Sequence, residues 1–194
     1  RVFGLLLPCH TEEPEMEDAR LLVEKFDIPW GRVDLTPVFD QLSGILPKSP
    51  PLVQANLKPR LRMLTLYAHA NARNGLVIGT GNKSELLAGY FTKYGDGGVD
   101  LLPLGDLLKT EVWALAKALG IPEKIISKPP TAGLWPGKTD EGEMGISYRD
   151  LDKILAAVTR GRKPADSAES VKKVRAMLKK SQHKRALAAI FRVV

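Results

Sequence analysis

Apolar and polar positions alternate in blocks along this chain. The opening run RVFGLLL is apolar and ends at Pro8, as a buried strand does. EMEDARLLVEKF follows with Leu21, Leu22 and Phe26 on one side, which predicts a short helix. IPWGRVDLT supplies a second strand, and Thr36-Pro37 reads as the N-cap and first-turn proline of another helix. GILPKSPPL then breaks the chain. From Leu57 to Asn74 a longer helix carries Leu61, Leu64, Ala68 and Ala72 on one face and stops at Asn74-Gly75. LVIGT is a third buried strand. A helix from Leu107 to Leu119 keeps Leu108, Val112, Leu115 and Leu119 in register, closed by Gly120 and Pro122. No internal repeat or low-complexity segment interrupts the series. Strands alternating with helices predict an α/β fold with a parallel sheet, its ligands held at the carboxyl ends of the strands.

Composition narrows this picture. A chain of 194 residues, 44% hydrophobic, is expected to bury one core, so residues 1–194 are read as a single domain. No apolar run approaches the ~20 residues that span a bilayer. The single cysteine, Cys9, has no internal disulfide partner, which points to a reducing cytoplasm. Residue 1 is an arginine already inside a strand-like run, so the chain is expected to be truncated at its amino end. The net charge of +7 gathers late: Arg160 to Arg185 hold ten Lys and Arg against two acidic residues. Such a stretch is one mark of nucleic-acid binding. Here Val171, Val174, Met177 and Leu178 recur at helical spacing, so the lysines read better as the wet face of an amphipathic helix. Aromatic side chains that stack on bases are absent from it, which argues against single-stranded nucleic acid as a partner.

Candidate chemistry lies in three loops. After LVIG comes TGNKSELLAGY, in which Asn82 and Glu85 have capping-box spacing. Glu85 then either caps its own helix or, with a divalent cation, faces a phosphate at the helix start; spacing leaves both open. Asp106 reads as the N-cap of the next helix, which puts Lys109 in its first turn. A cation there opposes the helix dipole by about 0.3–1 kcal/mol, and an anionic ligand would supply a reason for it. YFTKYGDGGVDLLPL, residues 90–104, packs aromatics, carboxylates, a lysine and glycines into a short loop with a strand-like second half; Asp96-Gly97 by itself reads as a tight turn. KPPTAGLWPGKTDEGEMGISY, residues 128–148, lacks periodicity and carries Thr131, Lys138, Asp140, Glu141 and Glu143. With Leu134 and Trp135 as apolar anchors it is expected to form a lid.

These three loops and the late SQHKR closely resemble ammonia-dependent NAD synthetases, nearly end to end. The resemblance implies a Rossmann-like, adenine-nucleotide α-hydrolase-like fold of the ATP pyrophosphatase group, and a homodimer. It implies that ATP adenylylates the nicotinate carboxylate of deamido-NAD with release of pyrophosphate, and that ammonia then displaces AMP to give NAD. Thr80, Lys109 and Thr131 match the family's ATP contacts, and Glu85 its magnesium ligand. Arg60, Lys93, Asp100, His183 and Lys184 match positions that hold deamido-NAD. Asp96 matches the aspartate that accepts a proton from the incoming ammonium, with Lys109 the second catalytic group. Gly97-Gly98 would let the backbone approach the nicotinate closely. The family's phosphate loop, Ser-Gly-Gly-x-Asp-Ser, belongs before RVFGLLLP and is not in these residues, so the chain alone is expected to be catalytically impaired. No glutaminase region is visible either. Leu6 and Glu12 stand where one branch has a basic residue and a glutamine against adenine. Alternatives are a GMP synthetase or tRNA-modifying ATP pyrophosphatase, the sulfur-transfer members of which often need paired cysteines, and a non-catalytic nucleotide- or nucleic-acid-binding module.

Overall fold

The computed structural model describes residues 1–133 and 137–193. Its first unit is β-α-β. Strand β1 (Gly4–Leu6) runs parallel to β2 (Trp30–Arg32), with Gly4 opposite Trp30 and Leu6 opposite Arg32. Helix α1 (Glu13–Lys25) makes the crossover. The backbone pairing runs past the strand ends: Val33 N–H donates to the Leu6 carbonyl at 3.0 Å and Leu35 N–H to that of Pro8 at 2.8 Å. Glu13 and Glu15 in the first turn of α1 and Lys25 in its last suit the helix dipole. The buried residues of α1 are Met16, Asp18 and Val23, whereas Leu21 and Phe26 are exposed, so the expected apolar face was rotated. The local run of leucines misled because the sheet meets the helix through Met16 and Val23.

Three helices follow: α2 (Thr36–Ile45), α3 (Pro51–Ala55) and α4 (Leu57–Ala72). Thr36 is the first residue of α2 rather than its cap. The cap position is Leu35; Asp34, one residue earlier, accepts the Thr36 N–H at 2.9 Å, and Thr36 Oγ1 accepts His10 N–H at 3.1 Å. Leu7, Cys9, Leu35 and Leu61 form one core with Phe39, Leu42 and Leu66 around it. In α4, Leu61 is buried while Leu64, expected beside it, is 63% exposed.

The third predicted strand does not join the β1–β2 sheet as a continuous ladder. Among the described residues it forms one parallel bridge, Ile78 with Leu101. Here the Val77 N–H donates to the Asp100 carboxylate at 2.7 Å instead of to a neighbouring strand, which helps to cut the ladder short. The expected α/β sheet flanked by helices is thus a small parallel sheet in a mostly helical chain.

The second half is helical: α5 (Lys83–Ala88), α6 (Lys109–Ala118), α7 (Glu123–Ile126), α8 (Asp140–Met144), α9 (Tyr148–Thr159) and α10 (Ala168–Lys180), then a single 3-10 turn at Gln182–Lys184. Helix α6 starts two residues later than expected. Asp106 is not its cap but pairs with Lys83 at 2.8 Å, a long-range contact no local motif reveals. Helix α9 is the hub of the second core. Tyr148, Leu151, Ile154 and Leu155 are wholly inaccessible and pack with Met144 and Val174. Each such side chain contributes roughly 1.5–3 kcal/mol by leaving water. Val171, Met177 and Leu178 of α10 complete the layer, so the lysines between them do form a wet face. No helix among the described residues is long and apolar enough to cross a membrane.

Candidate active site

The starts of α5 and α6 face one another. Asn82 Oδ1 accepts the Glu85 N–H at 3.0 Å and Glu85 Oε2 accepts the Asn82 N–H at 3.1 Å, a complete capping box. The other oxygen, Glu85 Oε1, accepts from Lys109 Nζ at 3.1 Å. Glu85 therefore caps its own helix with one oxygen, the structural reading, and meets the Lys109 ammonium with the other. Both members are largely screened from water, at 18% and 16% side-chain exposure. The Lys109 ammonium also lies 5.1 Å from the centre of the Tyr148 ring.

Asp140, at the start of α8, lies in electrostatic reach of Lys109 and Glu85. It is buried; Oδ2 accepts the Tyr148 hydroxyl at 2.9 Å, while Oδ1 has no hydrogen-bond partner among the described residues. Burial pushes its carboxyl above the ordinary range and raises the Tyr148 and Tyr90 phenols as well. The segment expected to form a lid is thus not without structure: Thr139 caps a short helix, and Tyr90 donates to Glu143 at 2.5 Å. Leu134 and Trp135, its expected anchors, lie outside the described residues.

Beside Lys109 opens a cavity of about 490 Å³ between α1, α6, α7 and the loop after Lys128. Lys109, Thr131, Arg62, Val112 and Trp113 help to line it, and so do the carboxylates Glu15 and Asp18, the latter paired with Lys128 at 2.8 Å, so the wall mixes apolar, cationic and acidic side chains. Thr131 is exposed on the loop, where its Oγ1 accepts the Gly133 N–H at 3.1 Å. Thr80 is exposed just after the third strand-like segment. A smaller cavity of about 360 Å³ lies against β1, lined by Leu6 and Arg62 among others. Arg62 belongs to both and donates Nε to the Leu7 carbonyl at 3.1 Å; burial lowers its pKa. The spacing of apolar residues around it gave no reason to single it out.

The remaining candidates gather around residues 89–100. Lys93 Nζ donates to the His183 carbonyl at 2.6 Å and to that of Ala186 at 3.3 Å, and Arg60 Nη2 reaches the Lys93 carbonyl at 3.5 Å. Lys184 Nζ donates to the carbonyls of Gly89 and Phe91 at 2.8 and 2.7 Å, and burial lowers its pKa. Asp100 accepts from Val77 N–H and, at 3.0 Å, from the Tyr67 hydroxyl. Asp96 Oδ1 accepts the Thr92 N–H at 2.9 Å. Asp96 reaches solvent, yet the protein packed around it desolvates the carboxyl enough to raise its pKa, and the Glu85 charge adds to the rise. At Gly97 the close approach is made by the Phe91 ring, which would stand 2.5 Å from an added Cβ. The structure therefore brings Lys109 and Thr131 to one cavity, with Glu85 attached to it only through Lys109, and Arg60, Lys93, His183 and Lys184 to a second cluster; Asp96 is in electrostatic reach of Glu85 and Lys184.

A magnesium ion takes hard oxygen ligands, typically one or two carboxylates plus substrate phosphates. No group of three or more His, Cys, Asp or Glu among the described residues could hold a metal alone. One carboxylate, Glu85, beside an orphaned buried oxygen of Asp140 fits a cation shared with a phosphate better than a caged protein site.

Two facing helix starts, one of them directly after a strand-like segment, with a cavity beside Lys109, fit the adenine-nucleotide α-hydrolase-like fold. The chain belongs to the NAD synthase family, whose model matches residues 1–188. It is 49% identical over 198 aligned residues to the NH3-dependent NAD+ synthetase of Archaeoglobus fulgidus, covering 100% of this chain and 78% of that protein. Among solved structures, NMN synthetase from Francisella tularensis superposes with a TM-score of 0.90 at 37% identity, covering 98% of this chain and 79% of that one. The NH3-dependent NAD synthetase of Campylobacter jejuni, in complex with nitrate, gives 0.83 at 29% identity, over 98% and 78% of the two chains.

Proposed function

We propose that the chain carries out the reaction of its family, the ammonia-dependent formation of NAD+, through an adenylylated nicotinate. The observation that carries this reading is that Lys109, which lines the cavity of about 490 Å³ together with Thr131, is paired with Glu85. A carboxylate is a poor electrophile; attack of its oxygen on the α-phosphorus of ATP, with loss of pyrophosphate, makes it the acyl half of a mixed anhydride. Lys109 would stabilise the charge building on the departing pyrophosphate, with Thr80 and Thr131 holding the nucleotide. Glu85 is the residue that would hold magnesium, which neutralises phosphate charge when bound. Arg60, Lys93, Asp100, His183 and Lys184 would hold deamido-NAD.

Asp96 would take a proton from ammonium, freeing ammonia to attack the acyl carbon as AMP leaves. Its raised pKa supports the role, because a base is most useful when its pKa nears the working pH. Cys9, buried and unpaired, supports a reducing cytoplasm. The exposed Leu64 on α4 supports a homodimer joined through that helix.

The test is to supply the intact protein that carries this chain with ATP, magnesium, ammonium and deamido-NAD and to measure NAD and AMP. Nicotinate mononucleotide belongs in a parallel reaction, because the Francisella relative is an NMN synthetase. Equimolar NAD and AMP are expected; folded protein yielding neither would refute the reading, and turnover of the mononucleotide alone would replace its substrate.

A further inference from the structure

We propose that Asp152 is a positioning residue that sets the Glu85–Lys109 pair. One buried carboxylate on α9 ties the first turns of α5 and α6 together and so fixes how far apart their two charged side chains stand. The proposal rests on the functional reading above.

Asp152 is 4% exposed. One of its oxygens, Oδ1, accepts the hydroxyl of Ser84, the residue before Glu85. The other, Oδ2, accepts both the Thr110 N–H and the Thr110 hydroxyl, each at 2.8 Å, and Thr110 is the residue after Lys109. Ser84 Oγ in turn accepts the Lys109 N–H at 2.9 Å. These contacts close a ring running from Asp152 to Ser84, Lys109, Thr110 and back. Each functional residue is thereby anchored through its immediate neighbour on the same carboxylate. Lys109 Nζ then reaches Glu85 Oε1 at 3.1 Å.

Burying a carboxylate is expensive unless its lone pairs are filled. Here three donors fill them, and all three come from the starts of the two helices, from residues directly adjacent to the charged pair. Packing alone would be served by an apolar side chain, since Leu151, Ile154 and Leu155 beside it are wholly buried. The carboxylate instead fixes direction, as outer-shell hydrogen bonds do for groups that meet a ligand.

The experiment compares Asp152→Asn, Asp152→Ala, Ser84→Ala and Thr110→Val in the intact protein. Asn keeps an oxygen for Thr110 and turns the Ser84 contact into a donor, so it should rescue part of the loss. The kcat is expected to fall about tenfold in Asp152→Asn and about a hundredfold in Asp152→Ala, with the two single-arm variants between them. The magnesium concentration for half-maximal rate should rise in the same order, while KM for deamido-NAD stays within about twofold. Thermal unfolding is followed in parallel. Variants that lose Tm but keep wild-type kcat and magnesium dependence when folded would overturn the proposal and leave Asp152 a structural residue. Failure of the functional reading shows separately, as absent turnover in the wild type. The positioning claim is then read from calorimetric affinity for magnesium-ATP, and equal affinity across the series, including none in any member, overturns it.

Discussion

Lys109 brings a cation into a largely screened part of the site. Its ammonium sits between the Glu85 carboxylate and the Tyr148 ring, at a helix start where a lysine gains nothing from the dipole. Lys109→Ala is expected to lower kcat/KM for ATP by about 10²–10³, the usual loss when one group stabilising transition-state charge is removed. Tm should change by only about 2–4 °C, equivalent to 1 kcal/mol in a chain of this size. A large fall in Tm with unchanged turnover would refute the phosphate role. Asp96 makes the opposite kind of prediction. Its folded pKa is raised, so stabilisation by its bound proton is complete below the unfolded value of about 4 and is lost as pH rises through the folded value. At neutral pH Asp96→Asn should therefore match or exceed the wild type in Tm, with the advantage vanishing in acid. Its ammonia step should slow by about 10²–10⁴ while pyrophosphate release persists; stopped-flow assays of the two products separate the steps, and equal loss of both would sink the proton-acceptor role.

Among elements, the ends of α5 and α10 approach closely. Gly89 closes α5 in the left-handed region at φ 74°, and an added Cβ would lie 2.1 Å from Ser181 Cβ. Ser181 also donates to the Leu87 carbonyl at 3.0 Å. Gly89→Ala is expected to destabilise by about 1–3 kcal/mol through overpacking, read as a fall in Tm by thermal unfolding; an unchanged Tm would mean that α10 does not dock there. The start of α5 was legible because Asn82 and Glu85 satisfy each other within one turn. The start of α6 was not, because Asp106 had two possible partners: the helix it precedes and a lysine far back in the chain. Cap motifs are local and can be read from spacing; an ion pair across 23 residues cannot.

At the scale of the molecule, the proposed homodimer makes its own prediction. Leu64 is 63% exposed, Leu52 55% and Val53 51%, a run of apolar side chains along α3 and α4 that the chain's own cores do not cover. If this is the homodimer face, Leu64→Glu should weaken association by about tenfold or more, about 1.4 kcal/mol. Sedimentation velocity over a dilution series would show it as monomer at concentrations where the wild type is dimeric, with circular dichroism unchanged. Identical dimer fractions in both proteins would move the interface elsewhere.

By itself the sequence determined what depends on neighbours along the chain. That includes the alternation of helix and strand-like segments, the capping box at Asn82, the amphipathic stripe of α10 and the family motifs that single out Glu85, Lys109 and Thr131. Only the tertiary structure decided which faces turn inward, so that Met16 and Val23 are buried on α1 while Leu21 is not. It also decided that the Val77 strand makes a single bridge, and that Asp152 closes a ring over two helix starts. The reason is one of range. Periodicity and caps are set by bonds within a turn or two, whereas burial, charge pairing and cavities are set by residues that meet only after the chain has folded back on itself.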